Sequence, residues 1–166
     1  MKPQEKKYRV SSFAHIEQIL KKVGAKKAKE IVSTHYYGVH EGNDVEKFVE
    51  YPDRCEIHVL KEQDGRFTMT EHRPITDKAE GLVWLKRRGF TTANIVSMAY
   101  TEYAYKDGTV GLYMIDDFLS SVILYYLPEK ISEMEKEFEL ENAEVISLPY
   151  NKYLDTLGKR RTMKLR

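Results

Sequence analysis

Alternating polar and apolar residues predict strands along much of the chain. Residues 6–10 (KKYRV) alternate in this way, as a strand with one buried face does. Residues 30–39 are rich in β-branched and aromatic side chains, which are typical of strands. Further segments with these features predict strands at 93–105, 109–118, 120–127 and, as a short piece, 144–148. The pattern therefore predicts a chain built mainly from extended segments.

Residues 55–62 and 66–73 form the clearest hairpin in the sequence. A three-residue connection with Gly65 in the left-handed conformation predicts that Val59 pairs with Met69. Two sets of side chains then lie on opposite faces, with Glu56, His58, Thr70 and His72 on one and Ile57, Val59, Phe67 and Met69 on the other. A two-residue turn would mix these two faces and is therefore not expected.

Apolar residues at helical spacing predict helices at 13–23, 78–88 and 128–142, with one or two further helical turns at 150–157. Asp77 and Glu80 have the spacing of a capping box at the start of the second helix. Residues 40–53 are polar and predict a loop with one short extended piece. Because hairpins stand between single helices, we expect an α+β fold, an antiparallel β-barrel or tunnel-like sheet flanked by helices.

The composition fits one domain of ordinary size. The chain has 166 residues, 42% of them hydrophobic, which is enough for one buried core. We expect a domain at 1–158 and a basic C-terminal tail at 159–166. No apolar run is long enough to cross a membrane, and the residues before 11 lack the apolar stretch of a secretory signal. With a single cysteine, Cys55, the chain is expected to be cytoplasmic, without a membrane partner.

Charge is nearly balanced, with 27 basic and 26 acidic residues. The local exception is the segment 159–166 (KRRTMKLR), which holds five basic residues. One interpretation is a frayed, solvated tail, and the other is a contact with phosphate groups or nucleic acid. Together with the basic run 86–88, this tail leaves open a nucleic-acid-associated accessory protein.

Several segments occur in an order that is found in a known family. The first strand, PQEKKYRV, stands where that family has E-x-E-x-K, and WLKRRGF matches its helix ending in Gly-Phe. THYY, CEIHVLKEQDGRFTMTEH, NIVSMAYTEYAYKDGTVGLYMIDDF and LPYNKYLDTLG fit the remaining layout. Over residues 3–157 the chain thus resembles the CYTH superfamily, or triphosphate tunnel metalloenzymes, which include class IV adenylate cyclases and thiamine triphosphatases. The resemblance implies a barrel around a tunnel that binds triphosphates with Mg²⁺ or Mn²⁺.

Most of the family's catalytic residues are changed. Pro3 replaces the first acid of the opening motif, whereas Glu5 and Lys7 remain and are the candidate catalytic residues. The positions of the family's other cations and acids fall on Glu56, His58, His72, Met98, Tyr100, Tyr125 and Tyr126, and its aspartate on Asp116 or Asp117. The strand with a second acidic pair has no counterpart, because only residues 73–76 separate the hairpin from the next helix.

The alternation of side chains along each strand, together with the resemblance, predicts an inward-facing set: Glu5, Lys7, Glu56, His58, His72, Tyr100, Glu102 and Asp116. With neutral histidines the set is net negative and would repel a triphosphate, which carries about three to four negative charges, unless metal ions intervene. Glu5 and Asp116 are the carboxylates expected to hold Mg²⁺ or Mn²⁺ if the protein is catalytic. Glu56, His58 and His72 instead resemble a zinc or transition-metal ligand set, with a hydrogen-bonded polar interior as the alternative.

The sequence also suggests positions for the remaining histidines and for several tyrosines. His15, His35 and His40 are expected on the surface or in loops. A lining of Tyr36, Tyr100 and Tyr126 would offer stacking surfaces to a base, although core packing explains strand tyrosines equally.

Three functions follow from these observations. The first is a catalytically degenerate CYTH-like protein that binds a nucleotide, a phosphorylated metabolite or a protein partner. The second is a metal-dependent triphosphatase or class IV-type adenylate cyclase with a rearranged site, and the third is the nucleic-acid-associated protein. The lost cations favour the first.

Overall fold

The computed structural model describes residues 2–166 and contains one sheet of ten strands with four helices. In chain order these are β1 (Gln4–Arg9), α1 (Ala14–Lys22), β2 (Lys26–Gly38), β3 (Val45–Glu50), β4 (Cys55–Gln63), β5 (Arg66–Ile75), α2 (Lys78–Arg87), β6 (Thr92–Tyr105), β7 (Gly108–Ile115), β8 (Leu119–Tyr126), α3 (Pro128–Glu137), β9 (Glu144–Ile146), α4 (Tyr150–Thr156) and β10 (Thr162–Lys164).

Eight of the strands close into an antiparallel barrel. They follow the order β6-β2-β3-β4-β5-β1-β8-β7, and β7 pairs again with β6. The closure depends on β1, where Glu5 pairs with Phe67 of β5 and Gln4 with Tyr126 of β8. β9 extends the sheet beside the second half of β1. The fold class predicted from the sequence is therefore confirmed.

Helices cover the outside of the barrel. α2 places Leu85 over Phe48 and Ile57, and all three side chains are fully buried. α1 and α3 cover a second outer cluster around Tyr8 and Tyr126. The burial of these apolar faces is the main favourable term in the stability of such a fold.

A third cluster lies inside the barrel. It is formed by inward-facing strand residues such as Phe67 and Ile123, together with Tyr150, Tyr153 and Leu154 of α4. Because α4 packs its side chains onto residues of the interior, it closes one end of the barrel.

Helix signals in the sequence were reliable at their starts. Asp77 caps α2 by accepting a hydrogen bond from the Glu80 amide at 3.0 Å, and the Glu80 carboxylate accepts one from the Thr76 amide. The third helix ends at Glu137, earlier than the predicted 142, because Glu139 adopts a left-handed conformation with φ of 55°. No strand lies between β5 and α2 in the described chain, as expected.

The predicted register of the β4–β5 hairpin was wrong. Asp64 and Gly65 form a two-residue turn with φ of 53° and 76°, and Gln63 pairs with Arg66. A bulge after Val59 then shifts the pairing by one residue. Because of the bulge, Glu56, His58 and His72 still lie on the inner face, and Ile57 and Val59 still lie on the outer face. The other three residues differ from the prediction: Thr70 is exposed, and Phe67 and Met69 face inward.

The basic tail is not frayed along its length. Residues 162–164 form β10, which pairs with β6 from Thr162↔Asn94 to Lys164↔Thr92. Arg160 and Arg161 also form ion pairs, with Asp155 and Asp116. The division into 1–158 and 159–166 remains a prediction. Among residues 2–166, no helix has the length and apolar character needed to cross a membrane.

Gly108 at the start of β7 is expected to be sensitive to substitution. A Cβ atom there would lie 2.2 Å from the Tyr126 ring and 2.5 Å from the Tyr125 carbonyl oxygen, which is backbone and cannot turn away. We expect Gly108→Ala to lower the free energy of unfolding by about 1–3 kcal/mol. Chemical denaturation measures this effect, and the neighbouring Thr109→Ala serves as a control with less than about 1 kcal/mol. Equal stability of the two variants would contradict the close approach.

Candidate ligand-binding tunnel

The interior of the barrel contains a cavity of about 330 Å³. Side chains from all eight barrel strands line it, together with Pro149 and Tyr150 at the closed end. Strand alternation decides which side chains reach it. On β1, Glu5 and Lys7 point inward, while Lys6 and Tyr8 point outward and both donate hydrogen bonds to Glu135.

The structure brings most of the predicted site residues together in this tunnel: Glu5, Lys7, Glu56, His58, His72, Tyr100 and Glu102. Their location agrees with the prediction from the alternation of inward and outward side chains along each strand, whereas their roles remain predictions. Asp116 is the exception. It lies in the turn between β7 and β8, where its Oδ1 accepts hydrogen bonds from the Ser97 amide and from Arg161, each at 2.7 Å.

Asp116 therefore does not share a metal site with Glu5. It lines a separate cleft on the surface with Ser97, Lys159 and Arg161. The prediction that it faces the tunnel was wrong because β7 ends at Ile115 and not at the predicted residue 118, so the aspartate lies beyond the regular alternation.

Three cations of the tunnel were missed. Lys29, Lys47 and Arg54 line its wall beside Lys7, so four cationic side chains face three carboxylates, those of Glu5, Glu56 and Glu102. The sequence predicted a net negative tunnel, and this prediction was wrong, because the cations on the wall outnumber the carboxylates. Lys47 was missed because residues 40–53 were interpreted as a loop with one short extended piece, whose inward and outward faces were not assigned. The alternation VEKFVE in β3 is the signal that could have identified it.

Lys7 lies at the centre of a buried charge cluster. Its ammonium group donates a hydrogen bond to the Leu148 carbonyl at 2.7 Å and lies 4.2 Å from the centre of the Phe67 ring and 4.3 Å from that of Tyr150. Burial lowers the pKa of Lys7 to about 7, although the neighbouring Glu5 carboxylate favours the charged amine.

Lys47 and Glu5 complete this cluster. Burial lowers the pKa of Lys47 to about 8, again opposed by Glu5. Burial raises the pKa of Glu5, although the charges of Lys47 and Lys7 act in the opposite direction. The two amines therefore titrate near neutral pH, and their charge depends on what enters the tunnel.

Glu56, His58 and His72 form a second polar cluster on the β4–β5 hairpin. Oε1 of Glu56 lies 3.0 Å from Nε2 of His58 and 2.9 Å from Nε2 of His72, while its Oε2 accepts a hydrogen bond from Arg54 at 2.9 Å. Burial alone would raise the pKa of Glu56, but the hydrogen bonds from His58, Arg54 and His72 lower it to about 2. Burial and the charge of Lys47 lower the pKa of His58 to about 4.

His35 is inside the barrel, which corrects the expectation of a surface or loop position. Its Nε2 lies 2.8 Å from Oγ of Ser33, and burial lowers its pKa well below the usual value. Nδ1 of His35 is the one buried side-chain nitrogen or oxygen within residues 2–166 that has no hydrogen-bond partner. Such atoms are rare in folded proteins and identify places where a ligand can add a hydrogen bond.

Tyrosines form the apolar part of the lining. Tyr100 and Tyr113 stack with ring centres 4.3 Å apart, and the absence of a side chain at Gly111 makes room for them, because a Cβ there would lie 2.4 Å from the Tyr113 ring. Tyr36 and Tyr126, which were also considered for the lining, instead pack in the outer clusters.

Solved structures contain the same fold. A protein from Pyrococcus horikoshii OT3 aligns with a TM-score of 0.77 at 17% identity, over 89% of this chain and 96% of that one. A candidate adenylate cyclase from Vibrio parahaemolyticus aligns with a TM-score of 0.58 at 13% identity, over 84% of each chain. A candidate adenylyl cyclase from Hippeastrum, described as having a dominant triphosphatase activity, aligns with a TM-score of 0.59 at 11% identity, over 95% of this chain and 96% of that one.

The sequence itself gives no such matches: no protein-family model fits the chain, and no curated protein matches it significantly. The structural similarities show that the chain has the CYTH-like tunnel fold, as its resemblance to the superfamily implied. At these low identities they concern the fold, and the activity must be argued from the residues in the tunnel.

Proposed function

We propose that the tunnel binds a small ligand with one or two phosphate groups, such as a nucleotide, and neither hydrolyses nor cyclises it. The observation that carries this proposal is the set of charges on the tunnel wall, four cations against three carboxylates. This excess suits an anion, but it is small compared with the about three to four negative charges of a triphosphate in a water-poor space.

The cations are also partly engaged already. Arg54 pairs with Glu56 at 2.9 Å, Lys29 lies 3.8 Å from Glu102, and Lys7 donates to a backbone carbonyl. Lys47 has only a long contact of 3.4 Å to the Tyr37 hydroxyl. It is therefore the cation best placed to bind a phosphate, and the unpartnered Nδ1 of His35 adds a further polar contact.

The aromatic wall supports a ligand that carries a ring. Tyr100 and Tyr113 form a stacked pair that faces the cavity. Flat aromatic faces bind nucleobases by stacking, which contributes about 1–3 kcal/mol per base where it has been measured by substitution. A nucleoside mono- or diphosphate combines the two features, a ring for the tyrosines and a limited charge for Lys47.

Replacement of Lys47 tests the proposal. We expect AMP or ADP to bind more tightly than ATP, and Lys47→Met to weaken binding at least about tenfold, because a charge-assisted hydrogen bond is lost. Calorimetric titration measures both effects. Lys61→Met is the matched control, since Lys61 is exposed on the neighbouring strand, paired with Asp44, and absent from the tunnel wall. No binding by the unchanged protein, or equal binding by the two variants, would contradict the proposal.

Binding should also be linked to proton uptake. The pKa of Lys7 is about 7 in the empty tunnel because burial lowers it, and Glu5 and Lys47 are the charged groups that act on it. An entering phosphate raises this pKa because it favours the charged amine. The gain in affinity is therefore fully present below pH 7 and is lost as the pH rises through the bound-state pKa.

This linkage is measurable near pH 7.5, where the phosphate is already a dianion. The apparent enthalpy of binding should differ between buffers with different ionisation enthalpies, in the direction of proton uptake. Identical enthalpies in all buffers would show that the amines do not respond to the ligand.

A metal-dependent triphosphatase or cyclase is the second candidate. Glu5 and Lys7 of the family's opening motif do line the tunnel, with Glu102 close enough to raise the pKa of Glu5. However, no group of three ligating side chains among residues 2–166 includes Glu5 or Glu102. Mg²⁺ and Mn²⁺ are held by oxygen ligands, and the tunnel offers few carboxylates for them.

A role in binding nucleic acid has less support. Arg88, Arg160 and Arg161 each form an ion pair with a carboxylate, with Glu46, Asp155 and Asp116 respectively. These pairs reduce the positive charge that the tail and the run at 86–88 present to a polyanion. Binding to nucleic acid or to a protein partner, and the cytoplasmic location, remain predictions.

A further inference from the structure

Three potential metal ligands converge at one place on the tunnel wall. Glu56 and His58 lie two residues apart on β4, and His72 is directly opposite His58 on β5. One ligand atom from each residue lies within 4.8 Å of the other two. The three side chains share the inner face of one hairpin, so the backbone pairing of two strands holds them in position.

The spacing of these atoms is close to that of a coordination sphere. A tetrahedral ion with ligands at about 2.0–2.1 Å separates neighbouring ligand atoms by roughly 3.3–3.4 Å. The two imidazole nitrogens lie 3.0 and 2.9 Å from the shared carboxylate oxygen, and the rings meet edge to face with centres 4.8 Å apart. Small side-chain rotations can lengthen these nitrogen–oxygen distances by a few tenths of an ångström. The three ligand atoms would then fit around a metal ion.

The surroundings of Glu56 resemble the outer shell of a metal site. Arg54 donates to the second carboxylate oxygen at 2.9 Å, and its guanidinium group lies 4.0 Å from the centre of the Tyr51 ring. A fixed Arg54 holds Glu56 in one orientation and leaves Oε1 directed at the imidazoles. Hydrogen bonds of this kind commonly orient metal-binding carboxylates.

The site is also reachable from solvent. Side chains of Glu56 and His58 are 14% and 11% exposed, whereas that of His72 is 55% exposed. His72 therefore marks a mouth of the tunnel through which an ion can enter, while the other two ligands lie farther inside.

We propose that Glu56, His58 and His72 form a binding site for a divalent transition-metal ion such as Zn²⁺ or Co²⁺, with an open coordination position that faces the tunnel. Two imidazoles and one carboxylate select borderline metals such as Zn²⁺ over Mg²⁺ or Ca²⁺, which prefer oxygen ligands. Three protein ligands leave a fourth position of a tetrahedral ion to water or another small ligand. The site does not depend on the phosphorylated ligand and is tested with the metal alone.

Cobalt titration tests the site directly. The full chain, without a polyhistidine tag and treated with a chelator, is titrated with Co²⁺, and the visible absorption of the bound ion is followed. We expect one equivalent to bind with the strong absorption of a tetrahedral site, Zn²⁺ to displace it, and a large excess of Mg²⁺ to leave it in place.

Two variants make the test specific. His72→Ala and Glu56→Gln should each weaken Co²⁺ binding at least about tenfold, because each removes one of three ligands. His15→Ala is the control, since it removes an exposed histidine that pairs with a single carboxylate, Glu139, and should bind as the unchanged protein does. Glu56→Gln nearly preserves shape, so its result stands even if another variant folds poorly. Absence of one-equivalent binding, or binding that both variants retain, would overturn the proposal in favour of a purely hydrogen-bonded cluster.

Discussion

Purified protein incubated with ATP, thiamine triphosphate or tripolyphosphate and Mg²⁺ or Mn²⁺ is expected to release phosphate no faster than the buffer alone. Transfer or hydrolysis of a phosphoryl group requires cations along the polyphosphate and a metal held by carboxylates. In this chain, four of the positions that carry cations in the resembled family hold Glu56, His58, Met98 and Tyr100, and all four line the tunnel. None of them carries a positive charge at neutral pH.

The size of the effect follows from the number of missing groups. Removing one well-placed donor from a water-poor site reduces the rate by about 10²–10³-fold. Several such losses together reduce it by many orders of magnitude. The retained pair, Glu5 and Lys7, does not compensate, because Lys7 is held by the Leu148 carbonyl and the pKa of Glu5 is raised by burial.

A double substitution distinguishes true turnover from contamination. Glu5→Gln with Lys7→Met removes both charges while nearly preserving volume. Turnover at ordinary enzyme rates that this variant abolishes would refute the degenerate function and support the triphosphatase or cyclase. A trace activity that the variant retains would come from another protein in the sample.

Phe48→Ala is expected to lower the free energy of unfolding by about 3–5 kcal/mol. Phe48 is fully buried on β3, its ring stacks on Tyr36 with centres 4.5 Å apart, and it lies against α2. The contact with the helix is so close that a Cβ at Gly81 would lie 2.5 Å from the ring. Truncation leaves a cavity between sheet and helix that neither rigid element can fill.

Denaturant unfolding measures this loss as a lower midpoint with an unchanged slope. Val83→Ala on the same helix is the matched control, because Val83 is 43% exposed and should change stability by less than about 0.5 kcal/mol. A Phe48→Ala variant within about 1 kcal/mol of the unchanged protein would show that α2 packs differently.

More of the fold than of the site could be predicted from the sequence. Alternation and helix signals located most elements, and segment order predicted the barrel, because both depend on local patterns of burial. The β4–β5 register could not be obtained in this way. A bulge after Val59 restores the faces that a two-residue turn would have mixed, and nothing in the composition near Thr70 marks it.

The charge of the tunnel was harder still to predict. β3 pairs with its sequence neighbours β2 and β4, but the buried carboxylate that Lys47 faces, Glu5, belongs to the distant strand β1. Whether Lys47 faces solvent or this carboxylate therefore depends on how the barrel closes. Its acidic neighbours, Glu46 and Glu50, made the segment look solvated. His35 was misjudged for the same reason, since an isolated histidine in a strand carries no signal of the cavity on one side of it.

The closure of the barrel through β1 has a consequence for how the protein forms. Gln4 to Arg9 pair with Tyr126 to Ser121, so during synthesis the edge of β1 that faces β8 stays unpaired until most of the chain has been made, although the other edge can meet β5 earlier. Sequence-distant pairings of this kind slow folding to milliseconds or seconds and expose open strand edges meanwhile. Refolding yield should therefore depend strongly on protein concentration, because an intermediate without β1 in place offers the edges of β5 and β8 to a neighbouring molecule.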